Sequence, residues 1–114
     1  MRAVNARAGI VIAGDVREAR RFFSRLRGLM GSDALAEGEA LLLVGDSSIH
    51  TLFMRYAIDV VYLDADDVVV AIDEKVPPGR IGRFVRRARS VLELAAGMAT
   101  YSDIHLGDTI VFEP

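Results

Sequence analysis

A chain of 114 residues, 52% apolar against 26% charged and with a formal net charge of −2, has the size and composition of one globular domain; wholesale disorder is excluded, and no global field draws in nucleic acid or anionic lipid. The absence of cysteine excludes disulfides, thiolate nucleophiles and every cysteine-ligated zinc or iron–sulfur centre. The apolar run Ile10-Val11-Ile12-Ala13 behind the amino end is too short for a signal-peptide core or a membrane span, so a soluble, cytoplasmic protein with no membrane partner is expected.

Ala8 to Ala13 is apolar and β-branched and predicts a first strand, ended by Gly14. Asp15 and Glu18 resemble a capping box. Val16, Ala19, Phe22, Phe23, Leu26 and Leu29-Met30 then recur at helical spacing, with Arg17, Arg20, Arg21, Ser24 and Arg27 opposite and Gly28 placed as a C-terminal cap. An N-terminal helix is therefore expected from Asp15 onward. Gly31 to Glu39 reads as a loop anchored by Leu35, Ala40 to Val44 as a second strand, and Gly45-Asp46-Ser47-Ser48 as a turn. Ile49 to Met54 predicts a third strand, with His50, Leu52 and Met54 on one face. Ala57 to Leu63 is apolar on both faces, as a central strand would be, and Asp64-Ala65-Asp66-Asp67 turns the chain into a hairpin partner over Val68 to Ile72.

Beyond Pro77-Pro78-Gly79 two readings compete. Phe84, Ala88, Val91, Leu92 and Ala95 fall at helical intervals, while Ser90 to Leu94 alone also fits a strand. Leu106-Gly107-Asp108 is a turn into a last strand, Thr109 to Phe112. The sum is an α+β, β-rich domain with about six or seven mostly antiparallel strands and one N-terminal helix.

The charges are segregated. Residues 59–74 carry acids and no base, and the next fifteen carry bases and no acid. Two neighbouring segments whose charges meet on the folded surface explain this. A nucleic-acid patch over residues 80–89 is the weaker reading, because only Phe84 offers an aromatic platform. The strand leading into Gly45-Asp46-Ser47 looks like the nucleophile block of GDSL-type serine hydrolases, which need an Asp-x-x-His element near the C-terminus. Here Asp103-Ile104-His105 is one residue too short, so a polar turn is preferred. A small hydrolase using Ser47 or His50 is kept as the alternative. His50 and His105, with Asp59 or Asp108, lack zinc-ligand spacing, and from Asp64 the sixth and twelfth positions are Val69 and Lys75, which exclude an EF-hand loop. No phosphate-binding loop occurs. No metal or cofactor is expected.

Ser48 to Asp64 mixes apolar residues with specific polar ones. Arg55 and Asp59 flank the bend between two predicted strands, within reach of a charge-assisted pair, and His50 lies on the face of Leu52 and Met54. Such a pair can simply pin the hairpin while His50 satisfies a backbone group, or all three can line a pocket for a small anionic or polar ligand. With Phe22, Arg25 and Gly28-Leu29-Met30-Gly31, this stretch resembles the family of unknown function DUF192. Its members combine a Gly-Leu-Met element, a Ser-x-His-x-x-x-Met-Arg block, an Ile-Asp-Val-Val strand and a late Leu-Glu-Leu-x-x-Gly, here Leu92-Glu93-Leu94-Ala95-Ala96-Gly97 followed by Gly107-Asp108. Many members have Pro-Trp-Arg in the middle loop where this chain has Pro78-Gly79-Arg80, a proline where Ala57 stands, and an export segment. The resemblance implies a sandwich-like or barrel-like domain with a helix near the N-terminus, and it favours strand for Ser90 to Leu94. It implies no established activity. The expected function is a small binding or accessory module that recognises a small polar ligand or a protein partner. Its candidate ligand-binding residues are His50, Arg55, Asp59 and Arg80.

Overall fold

The computed structural model describes residues 1–19, 35–45, 56–79 and 82–114. In chain order the described elements are β1 (Arg2–Asn5), β2 (Ile10–Ala13), β3 (Asp15–Ala19), β4 (Glu39–Val44), β5 (Ile58–Leu63), β6 (Val69–Val76), β7 (Ser90–Ala95), α1 (Met98–Tyr101) and β8 (Ile110–Glu113). They form a three-stranded sheet in the order β2-β1-β8 and a five-stranded sheet in the order β3-β4-β7-β5-β6. All pairs are antiparallel except β3–β4. The result is two sheets and not a closed barrel.

Strands β4, β7 and β5 are buried almost end to end because both faces of the large sheet are covered, which is why their sequences lack polar alternation. On one face Ala40, Leu42, Val61, Leu63, Leu92 and Leu94 share a core with Ala3, Ile12, Ala13 and Ile110 of the small sheet and with Ala99 and Ile104. On the other face Leu41, Leu43, Ile58, Val60, Tyr62 and Val91 pack with Leu35 and Ala88. The acidic turn is as expected: Asp64 Oδ1 accepts the Asp66 and Val68 amides at 2.8 and 3.0 Å, and Asp67 takes φ 60°. Charge segregation also has its surface meeting point, Arg83 Nε to Asp73 Oδ2 at 3.1 Å.

The N-terminal helix is a correction. Asp15–Ala19, where it was expected to begin, is a strand paired in parallel with β4. Helical spacing and strand alternation agree over so few residues, and tertiary pairing decides between them. The Asp15 amide donates to Gly38 O at 2.9 Å, the Val16 amide to Met1 O at 2.8 Å, and Val16 enters the core. The rest of that expected helix, and the expected strand Ile49 to Met54, lie outside the described residues. The helix that is described, α1, sits at residues 98–101. Between Ser90 and Ala95 the strand reading holds, because β7 is paired on both sides, by β4 and β5. Residues 84–89 are irregular, with a turn at 86–87, and contain no helix. β1 was not expected: its ends are Arg2 and Asn5, so its apolar content is only Ala3-Val4, yet it is the middle strand of the small sheet.

Candidate functional site: a cleft between β6 and α1

The segment from Gly97 to Asp108 folds back over the large sheet and is fixed at three points. Gly97 takes φ 91° to start α1, a conformation that side-chain-bearing residues rarely adopt. Asp59, fully buried on β5, accepts the Lys75 amide through Oδ1 and the Ala99 amide through Oδ2, each at 2.8 Å. One carboxylate therefore ties β6 and α1 to the central sheet. At the far end the buried Asp108 carboxylate accepts the His105 amide at 2.8 Å, Arg7 Nε at 2.7 Å and Asn5 Nδ2 at 3.3 Å. Asn5 Nδ2 also reaches the Ser102 and Asp103 carbonyls at 3.1 Å.

Between β6 and this segment lies a cleft of about 290 Å³. Ile72, Ala99 and Ile104 supply apolar surface; Glu74, Thr100, Asp103 and His105 bring polar groups to it. The Thr100 hydroxyl donates to the Glu74 carboxylate, bridging α1 and β6. His105 Nε2 lies 2.9 Å from Asp103 Oδ1, and Arg7 Nη2 is 3.2 Å from Asp103 Oδ2. Hydrogen bonds from the Arg7 guanidinium hold the Asp103 and Asp108 carboxyls below the ordinary carboxylate range; the His105 ring assists at Asp103 and the His105 amide at Asp108. Both carboxylates in turn raise the pKa of Arg7.

A second polar group occupies the opposite face of the large sheet. The register aligns Arg17, Leu41, Glu93, Val60 and Asp73 in one row across its strands. Glu93, at the centre of that row, is fully buried. The Tyr62 hydroxyl donates to Asp73 Oδ2 at 3.2 Å, and the Arg83 guanidinium lies 5.6 Å from the Tyr62 ring centroid. Burial, then the Asp73 charge, pushes the Tyr62 phenol well above the usual tyrosine range, and burial followed by Glu93 raises Tyr56.

Of the expected site residues, Asp59 is the one the structure places, in the core with both oxygens on backbone amides. His50, Arg55 and Arg80, with Ser47, lie outside the described residues. His105 pairs with Asp103 and not with Asp59, and no group of three or more His, Asp and Glu suited to a metal occurs among the described residues. Glu74 and Thr100 were not singled out, because they meet only through the fold; Asp103 and His105 were visible merely as an imperfect hydrolase element.

Fold and site together define a two-sheet β domain with a buttressed cleft between β6 and α1. The chain belongs to the DUF192 family, whose model, described as an uncharacterized ACR, matches residues 3–112. A UPF0127 protein of Thermococcus sibiricus (strain DSM 12597 / MM 739) is 32% identical over 114 residues, covering 96% of this chain and 73% of the relative. Among solved structures, a protein of unknown function from Novosphingobium aromaticivorans DSM 12444 superposes with a TM-score of 0.81 at 20% identity, over 98% of this chain and 84% of the other. A protein from Sinorhizobium meliloti 1021, described as a "putative transcription regulator", gives 0.80 at 23% identity, over 96% and 89%. These two likenesses show the fold alone. The family model is described as uncharacterized, and none of these three proteins carries a hydrolase name. No helix among the described residues is long and apolar enough to cross a membrane.

Proposed function

We propose that the protein is a small-ligand-binding module and that its ligand occupies the cleft between β6 and α1. One observation carries the reading. Asp59, Gly97 and Asp108 are all used to fix one segment, the one that forms the α1 side of this cleft. A rigid wall bearing convergent polar groups over apolar surface is what small-ligand sites require. The Thr100 hydroxyl is held by Glu74 and the His105 ring by Asp103, so the polar groups of the cleft are paired and fixed in place, as a binding site requires.

Amide chemical-shift titration against amino acids, amines, sugars and nucleosides tests the proposal. A true ligand shifts Glu74, Ala99, Thr100 and Ile104 together and saturably. A ligand that binds while leaving all four unmoved places the site elsewhere and overturns the reading.

A second reading keeps the expected residues His50, Arg55 and Arg80. The ends of β5 and β6 pair at Ile58↔Val76, and in sequence Arg55 comes shortly before Ile58 and Arg80 shortly after Val76. This supports a polar site there for a ligand or protein partner. Replacing Arg55 and Arg80 together by Ala should abolish binding that Glu74→Gln leaves intact; the converse pattern favours the cleft.

A further inference from the structure

We infer that the cleft takes a small aliphatic amine, an inference that rests on the cleft being the binding site and adds the chemical class of its ligand. The lining contains two carboxylates, Glu74 and Asp103, and no Lys or Arg. His105, paired with Asp103, is the lone group there able to acquire positive charge. Arg7 balances Asp103 and Asp108 from outside the lining, and it holds Asp103 ionised, so the acceptor facing the cleft persists across the neutral range. An entering anion meets like charge from both β6 and the α1 segment. An entering ammonium meets opposite charge from both.

The apolar surface completes the specificity. Ile72, Ala99 and Ile104 leave a short hydrocarbon stretch beneath the carboxylates. The volume, about 290 Å³, is at the lower limit for small-molecule pockets; it accommodates an alkyl chain of a few carbons and is too small for an oligosaccharide. An alkylammonium satisfies both halves: its N–H groups donate to Glu74 and Asp103 while its methylenes cover the apolar wall.

The test is an amide chemical-shift titration of the full chain near neutral pH and low salt with three compounds of matched length: cadaverine, pentanediol and glutarate. Cadaverine should shift Glu74, Ala99, Thr100 and His105 saturably, and Glu74→Gln, an exposed substitution, should weaken it about fivefold with an unchanged melting temperature. Pentanediol or glutarate binding in the cleft as tightly as cadaverine overturns the amine inference and leaves the cleft a binding site. None of the three moving the cleft amides at about 20 mM, a concentration that reveals even millimolar affinity, overturns the amine inference. The cleft reading itself then falls only if the wider panel also leaves those amides unmoved. Cadaverine shifts that survive both Glu74→Gln and Asp103→Asn reflect general charge attraction and also refute the inference.

Discussion

Asp59 offers the sharpest test of how the cleft is built. Asp59→Asn keeps the side-chain shape but exchanges one acceptor oxygen for an amide donor. Two backbone amides, of Lys75 and Ala99, converge on the carboxylate at 2.8 Å each; asparagine can accept one and must turn an N–H toward the other. A hydrogen bond to a charged acceptor contributes about 1.5–3 kcal/mol, and an opposed buried donor adds to its loss, so Asp59→Asn should cost about 2–3 kcal/mol. In a domain of this length that lowers the melting temperature by roughly 10 °C. The Ala99 amide is the more deeply buried of the two, so the asparagine oxygen should turn to it and Lys75 should lose more protection from hydrogen exchange. Urea denaturation gives the free energy, and exchange measured residue by residue gives the location. Asp59→Asn within about 0.5 kcal/mol of the parent, the range of a neutral surface substitution, or unchanged exchange at both amides, would refute the claim that this carboxylate anchors α1.

Three further outcomes follow from the same geometry. Tyr62→Phe removes the hydroxyl bond to Asp73 and should cost about 0.5–1.5 kcal/mol near neutral pH. Because the folded phenol titrates above its unfolded value of about 10, its contribution is complete below that pH and is lost as pH rises through the folded value; alkaline denaturation of the parent should therefore be steeper than that of Tyr62→Phe. At the acid end the sign reverses. Asp103 and Asp108 titrate below their unfolded range, so their contribution is present above about pH 4 and is lost as pH falls through the folded values; Arg7→Ala should flatten this acid limb in a pH series of denaturation midpoints. Finally, Gly97→Ala meets no atom within 4 Å but must hold φ 91°, so its cost is conformational, about 1–2 kcal/mol by thermal denaturation.

The β-rich fold was legible where burial and turn chemistry reinforce each other. Ile58 to Leu63 is apolar on both faces apart from Asp59 because it lies inside a sheet covered twice, and Asp64 to Asp67 carries its own hydrogen-bonding turn; both could be read locally. Asp15 to Ala19 could not. Its partner is Glu39 to Leu43, across the chain segment between them, and a strand made by a distant parallel neighbour leaves no signature in five residues. β1 was hidden for a related reason: Arg2 is spent on an ion pair with Glu113 and Asn5 on the loop after α1, so polar residues stand where a strand pattern would show apolar ones. The cleft is still less legible. Glu74 and Thr100 bond across 26 positions of sequence, and neither belongs to a motif.

Asp59 and Glu93 show why a shared sequence element does not by itself identify a site. Both are acids inside apolar strand motifs, and both are fully buried on adjacent strands of the same sheet. Strand register separates them: Asp59 stands opposite Leu94, Glu93 opposite Val60, so the two carboxylates point to opposite faces. On the face of the small sheet Asp59 meets two fixed amides and becomes a tie between β6 and α1. On the other face Glu93 sits in a row with Arg17 and Asp73 and acts on the phenols of Tyr56 and Tyr62. A one-residue offset thus assigns one acid to holding the cleft wall and the other to the electrostatics of the opposite core, so substitutions at Glu93 should leave the Asp59 tie intact.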